Sequence, residues 1–278
     1  MRTSRRARCS AFVVGVLCCG FPVVAPNAAE PTIQSVAVEG TSFSVALSDG
    51  RKLGSRDLVG AVLSFAGELP GGERIRIASV TEIATPSGPI LLHDLEIEAD
   101  GRWQPACDAD AAGRRLGSPV SGRSTGTGSF DPAAPGFEIA CTAGAFGKCL
   151  LFGYHPWKTS AAAPMDRLFR ACIRMVRADY CGDGRSWTLN GMAIDIFDRF
   201  GVQKADNPPD MVLEAAWSPE GAVCIHHARV PSVGTLDAVL AACPRLSASA
   251  GKACTTDATA DLFDHSVDSP DAAPSLAD

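Results

Sequence analysis

The chain has 278 residues, with 25 Lys+Arg against 31 Asp+Glu and a net charge of −6. Residues 1–29 hold four arginines and no acid, so residues 30–278 carry 21 basic against 31 acidic side chains, a balance of −10. That balance argues against nucleic-acid partners, whose phosphates demand a basic surface.

The first 29 residues read as an export signal. Arg2, Arg5, Arg6 and Arg8 form a basic start, Ala11 to Val24 is an apolar stretch broken by Gly20 and Pro22, and small residues lead to Ala29. Arg5-Arg6 lacks the apolar residues that follow a twin-arginine signal. Cys19, after Val16-Leu17-Cys18, offers a site for a lipid anchor. No other apolar run approaches the ~18 residues that span a bilayer, so the exported chain is expected in the periplasm or outside the cell, with no transmembrane span.

Residues 30–107 predict a β-rich unit. Ile33–Val38, Phe43–Leu47, Leu58–Phe65, Arg74–Ile83 and Ile90–Glu98 are runs rich in Val, Ile and Leu. Arg74-Ile-Arg-Ile-Ala and Leu95-Glu-Ile-Glu alternate apolar and polar residues, as half-buried strands do. Asp49-Gly50, Pro70-Gly71-Gly72 and Ser87-Gly88-Pro89 supply turns, and the set points to a small barrel or sandwich. Residues 108–136 lose apolar periodicity and read as a Gly/Ser/Pro-rich loop or linker with room for one weak strand.

Residues 137–254 predict a disulfide-rich mixed α/β unit, which makes the fold α+β. Phe137–Cys141 is extended and Ala145–Phe152 a short helix. Pro164 opens the main helix, Met165 to about Ala178, with Leu168, Cys172, Met175, Val176 and Asp179 at helical spacing. Ile194–Phe200 is a short helix or strand. Met211–Trp217 and Ala222–Arg229 are strands about a Ser218–Gly221 turn, and Leu236–Ala242 is a last helix. Residues 255–278 hold six aspartates and no Lys or Arg, and predict a solvating, disordered tail.

Eight of the eleven cysteines lie beyond the signal: Cys107, Cys141, Cys149, Cys172, Cys181, Cys224, Cys243 and Cys254. An even number, an oxidising compartment and the absence of a Cys-x-x-Cys pair favour disulfides over zinc or redox chemistry. The pairing stays open, with Cys141/Cys149 and Cys172/Cys181 as near neighbours.

Five segments occur in order: Cys141-x-x-Gly-Ala-Phe-Gly-Lys-Cys149, Gly153-Tyr-His-Pro-Trp-Lys158, Ala171-Cys-Ile-Arg-Met-Val-Arg-Ala-Asp-Tyr-Cys-Gly-Asp-Gly184, Asn190-Gly-Met-Ala-Ile-Asp195 and Glu214-Ala-Ala-Trp-Ser-Pro-Glu-Gly-Ala-Val-Cys224. Together they resemble the ADYC-domain family of exported bacterial proteins, named for Ala178-Asp179-Tyr180-Cys181. The resemblance implies an exported bacterial protein and supplies no catalytic residue.

Chemistry-bearing residues concentrate around that signature. Arg167, Arg170, Arg174 and Arg177, spaced 3, 4 and 3, line one helix face that could hold an anion or pair with carboxylates such as Asp195, Asp198 and Glu214. Asp179, Tyr180 and Asp183 are further candidate ligand contacts. A calcium loop from Asp179 to Gly184 is opposed by Cys181 at its third position and Asn190 at its twelfth. Cys224 and His226 share a strand face that could hold a metal only if Cys224 were free. Tyr154, Pro156 and Trp157 form either an aromatic platform or a packed cluster. No Gly-x-Ser-x-Gly, His-Glu-x-x-His or phosphate-binding glycine loop is present, and no cofactor or metal is expected. These features point to a non-enzymatic binding or scaffolding module. The alternative is a secreted hydrolase drawing on Asp179, Asp183 or Asp195.

Overall fold

The computed structural model describes residues 30–64, 74–159 and 163–269. The expected export signal, with Cys19, and the end of the acidic tail lie outside them. Strands β1 (Ile33–Glu39), β2 (Ser42–Leu47) and β3 (Lys52–Gly54) form an antiparallel sheet in that order. Strict alternation in β2 sends Phe43, Val45 and Leu47 inward. A second sheet is built from β4 (Val62–Ser64), β5 (Arg74–Ile83), β6 (Ile90–Ala99), β7 (Arg102–Pro105) and β8 (Leu116–Ser121). A hairpin of two-residue strands, β9 (Arg123–Ser124) and β10 (Phe130–Asp131), precedes its last strand, β11 (Phe137–Cys141). The order is β11-β8-β6-β5-β4, with β7 also paired to β6. Phe43, Val45 and Leu47 share a core with Leu63, Ile75, Ile77 and Leu95, so the two sheets bury apolar faces together.

The remainder is mixed. Helices α1 (Ala145–Leu151) and α2 (Met165–Val176) are followed by β12 (Asp195–Asp198), β13 (Met211–Ser218), β14 (Gly221–Ile225), α3 (Leu236–Ala242) and β15 (Leu262–Val267). The four strands pair antiparallel in the order β12-β15-β13-β14, and α2 packs against this sheet. Leu168, Phe169, Cys172 and Met175 of α2 join Trp217, Ile225 and Leu262 of the sheet in one core, which extends to Leu92 and Val120. The architecture is α+β, sheet-dominated, and no helix is long and apolar enough to cross a membrane among the described residues.

Three expectations change. Among the described residues the Leu58–Phe65 run holds a strand at Val62–Ser64: it begins in a 3-10 turn, where Asp57 accepts a hydrogen bond from the Gly54 amide at 2.9 Å, and Gly60 then takes a positive φ. Phe65 is outside the described residues. The expected linker, 108–136, contains β8, which pairs with both β6 and β11 and so joins strands from either side of it. Small residues hide this strand's pattern yet make it fit, since a Cβ on Gly117 would lie 2.9 Å from Cys107 Sγ. The acidic tail contains β15, an interior strand with Leu262, Phe263, Asp264 and Ser266 buried. Ile194–Phe200 resolves as strand β12.

Candidate functional site

Helix α2 ends in a Schellman turn. The Asp179 amide donates to Arg174 O at 2.8 Å and the Ala178 amide to Met175 O at 2.9 Å, with Ala178 left-handed at φ 47°. Each following residue of the signature then has a partner. Asp179, fully buried, accepts from the Gly182 and Gly184 amides at 2.9 Å each and from the Arg174 guanidinium. Tyr180 stacks on Trp217 with ring centroids 5.3 Å apart. Its hydroxyl donates to Glu214 at 2.8 Å and accepts from the Arg229 amide at 2.9 Å. Cys181 is bonded to Cys243.

Behind Tyr180 lies a sealed charge cluster. Arg229 donates to both oxygens of Glu214, to Asp264 at 2.7 Å and to Met175 O at 2.9 Å, the last closing the end of α2. Trp217 Nε1 donates to the other Asp264 oxygen at 2.7 Å. Burial alone would push the Arg229 guanidinium down, but Glu214 and Asp264 hold it above its ordinary value. Burial, with the Glu214 charge beside it, raises the Asp264 carboxyl well above the usual carboxylate range. Arg229 and Asp264 escaped the sequence reading. The one signal for Asp264 was the Leu262-Phe263 pair set among aspartates.

The arginines of the stripe turn to separate partners. Arg167 meets Asp261 at 2.8 Å, Arg170 meets Asp166 at 3.0 Å, and Arg174 is buried against Asp179, Thr127 O and Pro219 O. Glu214 belongs to Arg229 instead, Asp195 to His265 at 2.9 Å, and Asp198 to the Tyr154 hydroxyl at 3.0 Å. Asp195 also accepts from the Asp206 and Asn207 amides, and Asp183 caps its own turn through the Arg185 amide at 2.9 Å. Asp179, Asp183 and Asp195 thus each accept from a different set of backbone amides. The disulfides are Cys107–Cys141, Cys149–Cys172, Cys181–Cys243 and Cys224–Cys254. Neither near-neighbour pair forms: Cys141 reaches back across the sheet to Cys107, and Cys149 on α1 meets Cys172 on α2. Cys224 is thereby unavailable to bind a metal with His226. Tyr154 is buried, and Trp157 stacks on His155 with centroids 5.0 Å apart, so they are packed and do not form an open platform.

Two adjoining hollows remain beside the signature helix. A cavity of about 450 Å³ lies between the start of α1, the end of α2 and the loop at 186–194. A neighbouring hollow of about 870 Å³ beside Cys107–Cys141 shares Gly144, Lys148 and Asn190 with it. Lys148 and Arg177 line the first cavity, with Arg229 at its wall. Burial, then the charge of Arg229, lowers the Lys148 ammonium below its ordinary value, with Asp110 opposing. Arg177 is anchored through Nη2 to Gly184 O at 2.5 Å, while its buried Nε has no partner.

A family model described as ADYC domain matches residues 55–231. No curated protein and no solved structure matches the chain. The matched span runs from the turn before β4 through β14 and includes the Ala178–Cys181 signature, whose four residues cap α2, bind the following turn, support the buried charge cluster and carry a disulfide. The chain belongs to the ADYC domain family.

Proposed function

We propose that this is an exported, disulfide-stabilised module of the cell envelope or extracellular space that binds or scaffolds and does not catalyse. The observation that carries the reading is the Asp179 carboxylate. It is the acid at the centre of the family signature, yet it is fully buried and both oxygens are committed to turn amides and Arg174. A general acid or base must reach the proton it moves, and a carboxylate so enclosed serves the fold. Both oxygens of Asp195 are likewise taken, by the Asp206 and Asn207 amides, and one oxygen of the exposed Asp183 accepts from the Arg185 amide. Four disulfides support an oxidising compartment. The paired sheets around Phe43 and Ile77 are read as a sandwich that carries this module.

The test is a panel of chromogenic esters, phosphoesters, glycosides and peptides assayed with the oxidised protein. No turnover above background is expected. Turnover that disappears in Asp183→Asn or Asp195→Asn would establish the hydrolase alternative instead. Export is tested by expressing the full chain in a bacterial host, where retention in the cytosol would overturn that part of the reading.

A further inference from the structure

We propose that the cavity at Lys148 and Arg177 takes a small organic carboxylate, its anionic head held between these two cations and its apolar body against Phe152, Leu189 and Met192. This rests on the reading of the chain as a binding module and names its ligand class.

Residues 30–278 balance at −10, and the neighbouring cations Arg167, Arg170, Arg174 and Arg229 all find carboxylates. Lys148 and Arg177 have none within 4.0 Å among the described residues. The charge of Arg229 is answered by Glu214 and shared with Asp264, so it backs the cavity without being available to a ligand. Half-buried cations lose part of their hydration, and an incoming anion recovers that loss through charge-assisted hydrogen bonds.

Shape agrees with charge. About 450 Å³ falls in the range of small-molecule sites, roughly 300–1,000 Å³, which join apolar walls to a few convergent polar groups. The apolar walls come from three separate parts of the chain. Arg177 is held by Gly184 O, so its guanidinium is fixed before any ligand arrives, and its buried Nε retains an unused donor. That preorganisation lowers the ordering cost of binding.

Sequence and structure also converge here. Lys148 belongs to the Cys141–Cys149 segment, Arg177 to the segment ending at Gly184, and Asn190 and Met192 to the segment 190–195. Three of the five stretches that carry the family resemblance thus meet at one cavity. A carboxylate matches two single cations. Inorganic phosphate has no apolar body to lie against Phe152, Leu189 and Met192.

The experiment is calorimetric titration of the full exported chain, disulfides intact, with octanoate, octylamine and inorganic phosphate. Octanoate is expected to bind saturably with a Kd below about 1 mM, and the other two probes are not. Lys148→Met, which keeps the apolar stem, should weaken octanoate at least about tenfold, and Lys148→Arg should restore most of the loss. Because Lys148 is half-exposed on α1, both variants should melt within a few degrees of the parent. Failure of octanoate to saturate, equal binding by Lys148→Met, or equal binding of octylamine or phosphate would each overturn the proposal. Chromogenic turnover is read separately on the same samples. Turnover would overturn the binding-module reading, whereas absent octanoate binding without turnover would remove only this site.

Discussion

Arg229 holds Glu214 at two points, Nε to Oε2 at 2.7 Å and Nη2 to Oε1 at 3.0 Å, with both side chains closed to solvent. The pair ties β13 to the carbonyl end of α2, because the same guanidinium also reaches Met175 O. Removing one partner of a buried pair leaves its counterpart charged and unsolvated. Arg229→Met strands two carboxylates, Glu214 and Asp264, and should cost about 3–5 kcal/mol, read from the urea midpoint. A loss below about 0.5 kcal/mol would show that the cluster is not a structural tie.

Acid should destabilise the protein from near pH 6.5 downward. His93 meets Ser55 Oγ at 2.7 Å and His155 meets Thr85 Oγ1 at 3.1 Å, both without solvent exposure. Burial holds each imidazole down to about 4, with Lys158 adding to the effect at His155. Between 6.5 and 4 the unfolded chain takes up protons that the native state refuses, so stability present at neutral pH is lost as pH falls. Each group contributes up to about 1.4 kcal/mol per pH unit within that window. Asp264 works the other way: its raised carboxyl keeps a proton that the unfolded chain releases, so its contribution declines as pH rises above 3.8. Denaturation of the parent and His155→Gln at pH 7 and pH 4.5 checks the first effect. The variant starts less stable but should lose less across the interval, and an equal loss would remove His155 as a source.

How much of this was legible depended on whether a residue's role was local. The 3.6-residue spacing of Leu168, Cys172 and Met175 marked α2, and alternation marked β5 and β6, because each buries a face whose period is written in the chain. Strand β15 broke the rule that acids face water: Asp264 points inward, to an arginine thirty-five residues away. Strand β8 is built on Gly117, Ser118 and Pro119, which carry almost no apolar signal and fit where the Cys107–Cys141 bridge crosses. Arg177 stood out in sequence but was grouped with arginines that turn to other partners. Lys148 carries no sequence signal of its own, because its place beside Arg177 in the cavity wall is created only by tertiary packing.

The family match ends at residue 231, yet the signature depends on residues C-terminal to that point. Cys243 completes the bond to Cys181, Cys254 completes the bond to Cys224, and Asp264 completes the Arg229 cluster. A chain cut after residue 231 loses two disulfides, each worth about 2–5 kcal/mol in small exported domains. It also loses the interior strand β15. It should express as an aggregation-prone or unfolded species, without the cooperative melt of the full chain. Proteolytic mapping of the full chain should return the four pairs seen in the structure, and a Cys172–Cys181 peptide would contradict them.

Ala178 and Gly182 test the signature's backbone. At φ 47° Ala178 occupies the position where helices commonly place glycine, and its methyl is fully buried. Ala178→Gly relieves about 1 kcal/mol of left-handed strain and forfeits about 0.8 kcal/mol of methyl burial, so its melting point should barely move. Ala178→Val adds a β-branched side chain to the same backbone in a closed site and should cost several kcal/mol. Gly182 is stricter: φ is 76°, and a Cβ there would stand 1.9 Å from Glu220 O. Gly182→Ala must therefore push the Ser218–Gly221 turn away from the segment that carries Cys181. The expected result is loss of the cooperative transition, or a melting point lowered by more than about 10 °C for a cost above about 3 kcal/mol. A Gly182→Ala protein that melts like the parent would mean that the turn and the signature do not meet as described.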